Sequence, residues 1–149
     1  MEHVEFTYTG GLDREVVQER LASAETGVLA LAEDGDAYAI PLAFHYDGED
    51  AILLRLGEFE GSEKMSHIAA TERACFVVYD YASPTDSWSV LVTGPLVRVP
   101  EDEERFDDAE INRRFPDIRV FDQDIAEVDV VLYELRIESM TGRETVEST

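Results

Sequence analysis

Two Asp-Gly pairs, Asp34-Gly35 and Asp47-Gly48, limit the fold of this chain more than any other feature. Asp-Gly accepts the positive backbone φ that tight hairpin turns demand, and each pair is flanked by runs whose apolar residues recur with period two. "GVLALAED" precedes the first pair, "AYAIPLAFHYD" lies between them and "AILLRL" follows the second. Three strands joined by two hairpins make an antiparallel meander.

The remaining elements extend that meander. "ACFVVYDY" and "WSVLVTGPLVRV" read as two long strands joined by the loop "ASPTDS". In a last strand, "AEVDVVLYELRIESMTG", Val128, Val130, Leu132 and Glu134 alternate with Asp129, Val131, Tyr133, Leu135 and Ile137, and Gly142 ends the run. Ahead of the strands, "GLDREVVQERLASAETG" has the form of a capped helix. Asp13 accepts from the first free amides, Leu12 staples onto Val17, Gly27 provides the stop, and Val17, Leu21 and Ala24 form the inner face. A short helix is predicted from about Ser62 to Ala70, and an acidic surface helix over "EDEERFDDAEINRRF", capped near Pro100. Six strands and these helices predict a mainly β fold, a six-stranded antiparallel split β-barrel with short flanking helices, with a β-sandwich as the rival. Closure of the barrel together with dimerisation would remove the open edges. Residues 1–149 show no repeat, low-complexity linker or composition boundary, and are read as a single domain.

Composition narrows the class of partner. Hydrophobic residues at 44% are too many for a disordered acidic chain. The formal net charge of −22 comes from 34 Asp and Glu, spread over almost every segment, set against eleven arginines and the single lysine Lys64. Such a surface repels itself where charges act over about 10 Å and is quieted in molar salt, where the screening length is about 3 Å. It suits a salt-rich cytoplasm, the alternative being an acidic mesophilic domain. It also argues against nucleic acid, which requires a basic face. Cys75, the one cysteine, permits no intrachain disulfide and reads as a small buried hydrophobe. With neither a basic leader nor an apolar run of membrane length, the expectation is a soluble cytoplasmic protein with no membrane partner. His3, His45 and His67 are scattered without carboxylate or Cys at ligand spacing, so no metal site is expected, and His67 reads as a surface or packing residue.

Two stretches carry the functional reading. On the strand "AYAIPLAFHY" one face is bulky (Tyr38, Ile40, Leu42, Phe44, Tyr46) and the other small (Ala37, Ala39, Pro41, Ala43, His45). The small face with its proline is a ledge for a planar ligand, or else packs against a helix or a second subunit. In "GSEK", Gly61 allows close approach and Ser62 offers a hydroxyl. The amides that open the helix carry partial positive charge, and Lys64 is a local cation, a set suited to phosphate in an otherwise repulsive field. Arg55 on the preceding strand and Arg73 on the next are candidate neighbours.

The order and spacing of "GVLALAEDGDAYAIPLAFHYDGEDAILL", "GSEKMSHIAATERACFVVYD" and "SWSVLVTGPLVRV", with a weaker return at "LYELRIESMTGRE", resemble the pyridoxamine 5′-phosphate oxidase-like FMN-binding split barrels. The acidity would make this a haloarchaeal-type member. The resemblance implies a flavoprotein with FMN as cofactor. Ile40, Pro41, Leu42 and Ala43 would run along the isoalloxazine ring, and Ser62 and Lys64 would hold the phosphate with Arg55 beside them. It further implies a homodimer in which Trp88 and Ser89 of a neighbouring strand contribute to the site. Activity would be that of an oxidoreductase using a small-molecule substrate and an electron donor. The substrate-phosphate Arg and His set of a true pyridoxamine phosphate oxidase is missing, which points to the short or nitroimidazole-reductase-like members. The alternative function is a non-catalytic binding protein for FMN, haem or another planar ligand.

Overall fold

In the computed structural model, which describes residues 8–58, 63–100 and 129–146, Asp34 and Gly35 take φ values of 48° and 81°. Two consecutive left-handed residues match the twist of the strands they join. Those strands are β2 (Thr26–Glu33) and β3 (Asp36–Tyr46), paired antiparallel from Thr26↔Ala43 to Glu33↔Asp36. At the second turn Gly48 has φ 86°, and Asp47 Oδ1 accepts from the amides of Glu49, Asp50 and Ala51 at 2.8, 3.0 and 3.1 Å. The chain then enters β4 (Ala51–Glu58), which pairs with β3 only from Phe44↔Leu54 to Tyr46↔Ile52. β3 therefore gives its first part to β2 and its last residues to β4, bending from one half of the barrel into the other.

β5 (Ala74–Ser83) lies beside β2 and pairs with β6 (Asp86–Gly94) across a two-residue turn, Pro84-Thr85, shorter than the loop read from the sequence. The long strand expected beyond Trp88 is interrupted at Pro95, and β7 is only Leu96–Arg98. The last strand is likewise divided, into β8 (Asp129–Arg136) and β9 (Ser139–Val146), so it does not end at Gly142. The two breaks face one another, where the Arg136 amide donates to Pro95 O at 3.0 Å and the Glu138 amide to Thr93 O at 2.9 Å. A Cβ on Gly94 would sit 1.7 Å from Arg136 O, so the close passage requires glycine there, and Pro95, which cannot donate to a ladder, suits the break beside it.

Followed through those breaks, the strands form a ring. β6/β7 pairs with β5, β5 with β2, β2 with β3, β3 with β4, β4 with β8, and β8/β9 returns to β6/β7. This is the antiparallel split barrel of six long strands expected from the sequence. Among the described residues there are nine strands because two of the six are broken and because β1 (Tyr8–Gly11), not foreseen, adds to the outer edge of β9.

The barrel interior is apolar, with Leu29, Ile52, Leu54, Phe76, Val92 and Leu135 all shielded from solvent. Phe44 and Phe76 meet edge to face at 5.1 Å. Helix α1 (Arg14–Ser23) buries Val17 and Leu21 as its spacing predicts, while Ala24 is only partly covered. Asp13 occupies the N-cap position, but its carboxylate makes no capping hydrogen bond, and the Leu12 amide is held instead by Gly142 O at 2.9 Å. Nor does Gly27 stop the helix. It lies within β2, where a Cβ would come within 2.6 Å of the Phe76 ring, so its small size serves packing. Helix α2 (Glu63–Ala70) lies against the end of β2. The predicted acidic helix falls outside the described residues. Among the described residues no helix is long and apolar enough to cross a membrane.

Candidate functional site

The alternation of β3 sorts its side chains as the sequence predicts. Tyr38, Ile40, Leu42, Phe44 and Tyr46 belong to the core or pack against it, while Ala37, Ala39 and Pro41 are exposed. Cross-strand register carries this small-residue face over three more strands. Pro41, Val28, Val77 and Leu91 form one row, and Ala39, Ala30, Cys75 and Thr93 the next. The result is a broad, pleated apolar surface on the outside of the barrel. At Pro41 the side of β3 away from β2 lies ahead of the short β3–β4 pairing, which begins only at Phe44. A residue with no N–H is tolerated at such an edge.

Further along β5 the outward residues become aromatic: Tyr79 is 63% exposed and Tyr81 62%. They line a groove with a cavity volume of ≈ 430 Å³, shared with Trp88, Ser89, Thr9 and Arg143. Ser89 stands between Tyr79 and Arg143 in the register. Arg143 is fixed by Thr9, donating from Nε to Oγ1 at 2.9 Å and from Nη2 to the carbonyl at 2.8 Å. Trp88 is half-buried, with the Arg20 guanidinium 5.1 Å from its ring centroid, a cation–π geometry.

The residues predicted for the site thus fall into two groups. Ile40 and Leu42 turn inward and can offer a ligand only backbone, whereas Pro41 faces outward and Ala43 is half-buried. Arg55 is half-buried on β4 between the buried Leu54 and Leu56, and Lys64 is half-buried in the first turn of α2. Ser62 lies outside the described residues. Arg73 donates to Thr93 Oγ1 at 2.8 Å and lies 3.5 Å from Glu138 Oε1, so it serves the strand crossing. Trp88 and Ser89 form the second group. Three strand spacings separate β3 from β6, roughly 14 Å at about 4.8 Å each, so within one chain the groups do not form one pocket; Ser89 lies on the outward face with Pro41, whereas Trp88 packs against the core. Tyr79, Tyr81 and Arg143 were missed by sequence reasoning, although the alternation after the buried Val78 already places both tyrosines outside.

His67, read from the sequence as a surface or packing residue, is 2% exposed. Its ring lies 5.2 Å from that of Tyr38, and its Nδ1 is 2.9 Å from Glu63 O. That backbone hydrogen bond raises its pKa above the ordinary 6.5. Burial opposes the rise, and the carboxylates of Glu33, Asp36 and Glu63 add to it. Cys75, expected to be buried, is instead half-buried on the outward face of β5, and this partial burial pushes its thiol up, which does not favour a nucleophile.

Comparison with known proteins places this geometry. No curated protein matches the sequence. A FAD-binding protein from Mesorhizobium loti superimposes with TM-score 0.69 at 19% identity, over 95% of this chain and 100% of that one. A FAD-binding protein from Mycobacterium smegmatis gives TM-score 0.61 at 20% identity, over 91% and 98%. A FAD- and haem-binding protein from the same organism gives TM-score 0.65 at 19% identity, over 91% and 72%. These likenesses establish the split-barrel fold. The sequence itself matches the profile of the family described as pyridoxamine 5′-phosphate oxidase over residues 13–144. On that match, which spans nearly the whole chain, the protein belongs to the pyridoxamine 5′-phosphate oxidase family.

Proposed function

We propose that this chain binds a flavin, FMN, on the outward face of the barrel, and that a homodimer completes the site. The observation that carries the reading is the continuous small-residue surface through Pro41, Val28, Ala39 and Ala30, which leaves room for a flat ring against the backbone. Structural neighbours that bind FAD support a flavin. Lys64, Ser62 and the opening amides of α2 would hold the phosphate, with Arg55 beside them. The ≈ 430 Å³ groove at Trp88, Ser89 and Arg143 lies in the size range of small-molecule sites. Presented by a second copy, it would close over the ring from the other side.

Bound flavin would supply hydride or electron transfer to a small substrate, drawing on an external donor. The chain's own residues would bind and orient it. Pro41 and its neighbours exclude water from one ring face, and the α2 end fixes the phosphate. A flavin carrier without turnover is the second reading. It is favoured by the ledge itself, whose outward residues Ala37, Ala39 and Pro41 offer no acid or base. We place the protein in a salt-rich cytoplasm, where screening of the −22 charge permits an anionic cofactor to approach.

Titration of the purified protein with FMN in molar KCl tests the proposal. The expected result is a flavin spectrum at one FMN per chain in a dimeric species, and a rise in the dissociation constant of at least tenfold in Lys64→Ala. No binding in the unaltered protein overturns the reading. Bleaching of bound flavin by NADH or NADPH distinguishes an enzyme from a carrier.

A further inference from the structure

His67 leaves one nitrogen without an answer. Its Nδ1 lies 2.9 Å from Glu63 O, which can only accept, so the neutral ring carries its proton on Nδ1 and presents a lone pair at Nε2. That lone pair is 3.4 Å from Asp36 Oδ2, a carboxylate oxygen that is also an acceptor. Nε2 has no hydrogen-bond partner among the described residues, and the side chain is shielded from solvent. Two acceptors 3.4 Å apart, the imidazole nitrogen buried, favour a cation between them, either a proton or a metal ion.

A third donor is at hand. One ligand atom each of Asp36, Glu63 and His67 lie within 4.8 Å of one another. We propose that Asp36, Glu63 and His67 form a binding site for a first-row divalent cation, Zn2+ being the best match to one imidazole nitrogen and two carboxylates. The hydrogen bond from Nδ1–H to a backbone carbonyl is the arrangement that orients an imidazole for metal ligation at its other nitrogen. Glu33 deepens the negative potential, with Oε2 3.7 Å from Nδ1, and is held by Ser66 Oγ, which lies 2.9 and 3.0 Å from its two carboxylate oxygens. Asp36 and Glu63 are exposed. Their side chains can rotate inward to the roughly 3.5 Å ligand spacing that metal–ligand bonds of about 2.0–2.2 Å require, and water would complete the shell. Asp36 opens β3 while Glu63 and His67 stand one turn apart on α2, so the ion would clasp the helix to the β2–β3 hairpin.

Calorimetric titration of the metal-free full chain with Zn2+, and separately with Mg2+, tests the assignment. Molar KCl suppresses diffuse attraction to the acidic surface. The expected result is one Zn2+ per chain, bound at least tenfold more tightly than Mg2+, with affinity falling at least tenfold in Asp36→Asn, Glu63→Gln and His67→Gln. Zn2+ should raise the thermal unfolding midpoint of the unaltered protein and leave that of Asp36→Asn where it was. Because Asp36 is exposed, that variant does not disturb the core. Equal Zn2+ affinity in Asp36→Asn and the unaltered chain, or no preference for Zn2+ over Mg2+, would mean adsorption to acidic surface and would overturn the proposal. Neither result depends on flavin.

Discussion

The two helices among the described residues, α1 and α2, are held to the barrel by different physics. α1 is fixed by area: Val17 is 1% exposed and Leu21 fully buried, with Val17 and Leu12 packed over Gly142, where a Cβ would meet Val17 at 2.8 Å. Its polar contacts are peripheral, with Gln18 Nε2 donating to the Tyr46 hydroxyl at 3.2 Å and Arg20 over Trp88. α2 buries Ile68, but beside it stands His67, and its last turn is tied to β2 by Thr71, whose Oγ1 accepts from the Ala32 amide at 3.1 Å and reaches the carbonyls of Ala32 and His67. Apolar burial is non-directional and indifferent to protons. Directional contacts to titratable groups are not. The adjustable end of the barrel is therefore the one whose first turn carries Lys64.

The sharpest way to break that contrast is Leu21→Ala. It should cost about 2–5 kcal/mol in denaturant unfolding, by equal amounts at pH 6 and pH 8. A loss that changed with pH would erase the difference between the two ends. Next in size is Thr71→Val, with an expected loss of about 0.5–1.5 kcal/mol. Hydrogen exchange should then quicken in α2 and stay unchanged in α1. The smallest effect is a slope. The fold raises the His67 pKa, so its contribution is fully present below the unfolded value of 6.5 and is lost as pH climbs through the raised folded value. In buffer containing a chelator, stability should decline from pH 6 towards pH 8, and His67→Gln should flatten the decline. A rise over that range would reverse the role assigned to the imidazole.

What could be read before the structure follows from the range of the interactions involved. Asp34-Gly35 and the alternation of β3 are local, and both appear as written: the turn angles and the inward and outward faces follow from neighbouring residues alone. The breaks at Pro95 and at Ile137-Glu138 were read through, although the Gly94-Pro95 pair is itself a local breaker signal. Only the close passage of Gly94 past Arg136, 42 positions away in sequence, shows why the strands must bend there. Asp13 has the right residue type in the right place and still makes no capping hydrogen bond. His67 was read as a surface or packing residue, and packing is what the structure shows, but its depth was not legible: the strand it packs on, β3, opens at Asp36, outside any helical window. The two groups of site residues were found separately, since nothing local records that two strands, β2 and β5, lie between Pro41 and Trp88.

The ring closed by β8 and β9 also has a consequence in time. These strands supply the partner for β4 on one side and for β6 and β7 on the other, and β9 alone receives β1. During synthesis the earlier hairpins emerge with raw edges, and they wait for residues beyond 129 to leave the ribosome. Pairing between distant segments is slow, on the order of milliseconds to seconds, and unpaired edges in that interval invite association with other chains. In dilute salt, where charges act over about 10 Å, the dense negative charge of the chain helps to hold half-made barrels apart until the last strand arrives; in molar salt that guard is lost.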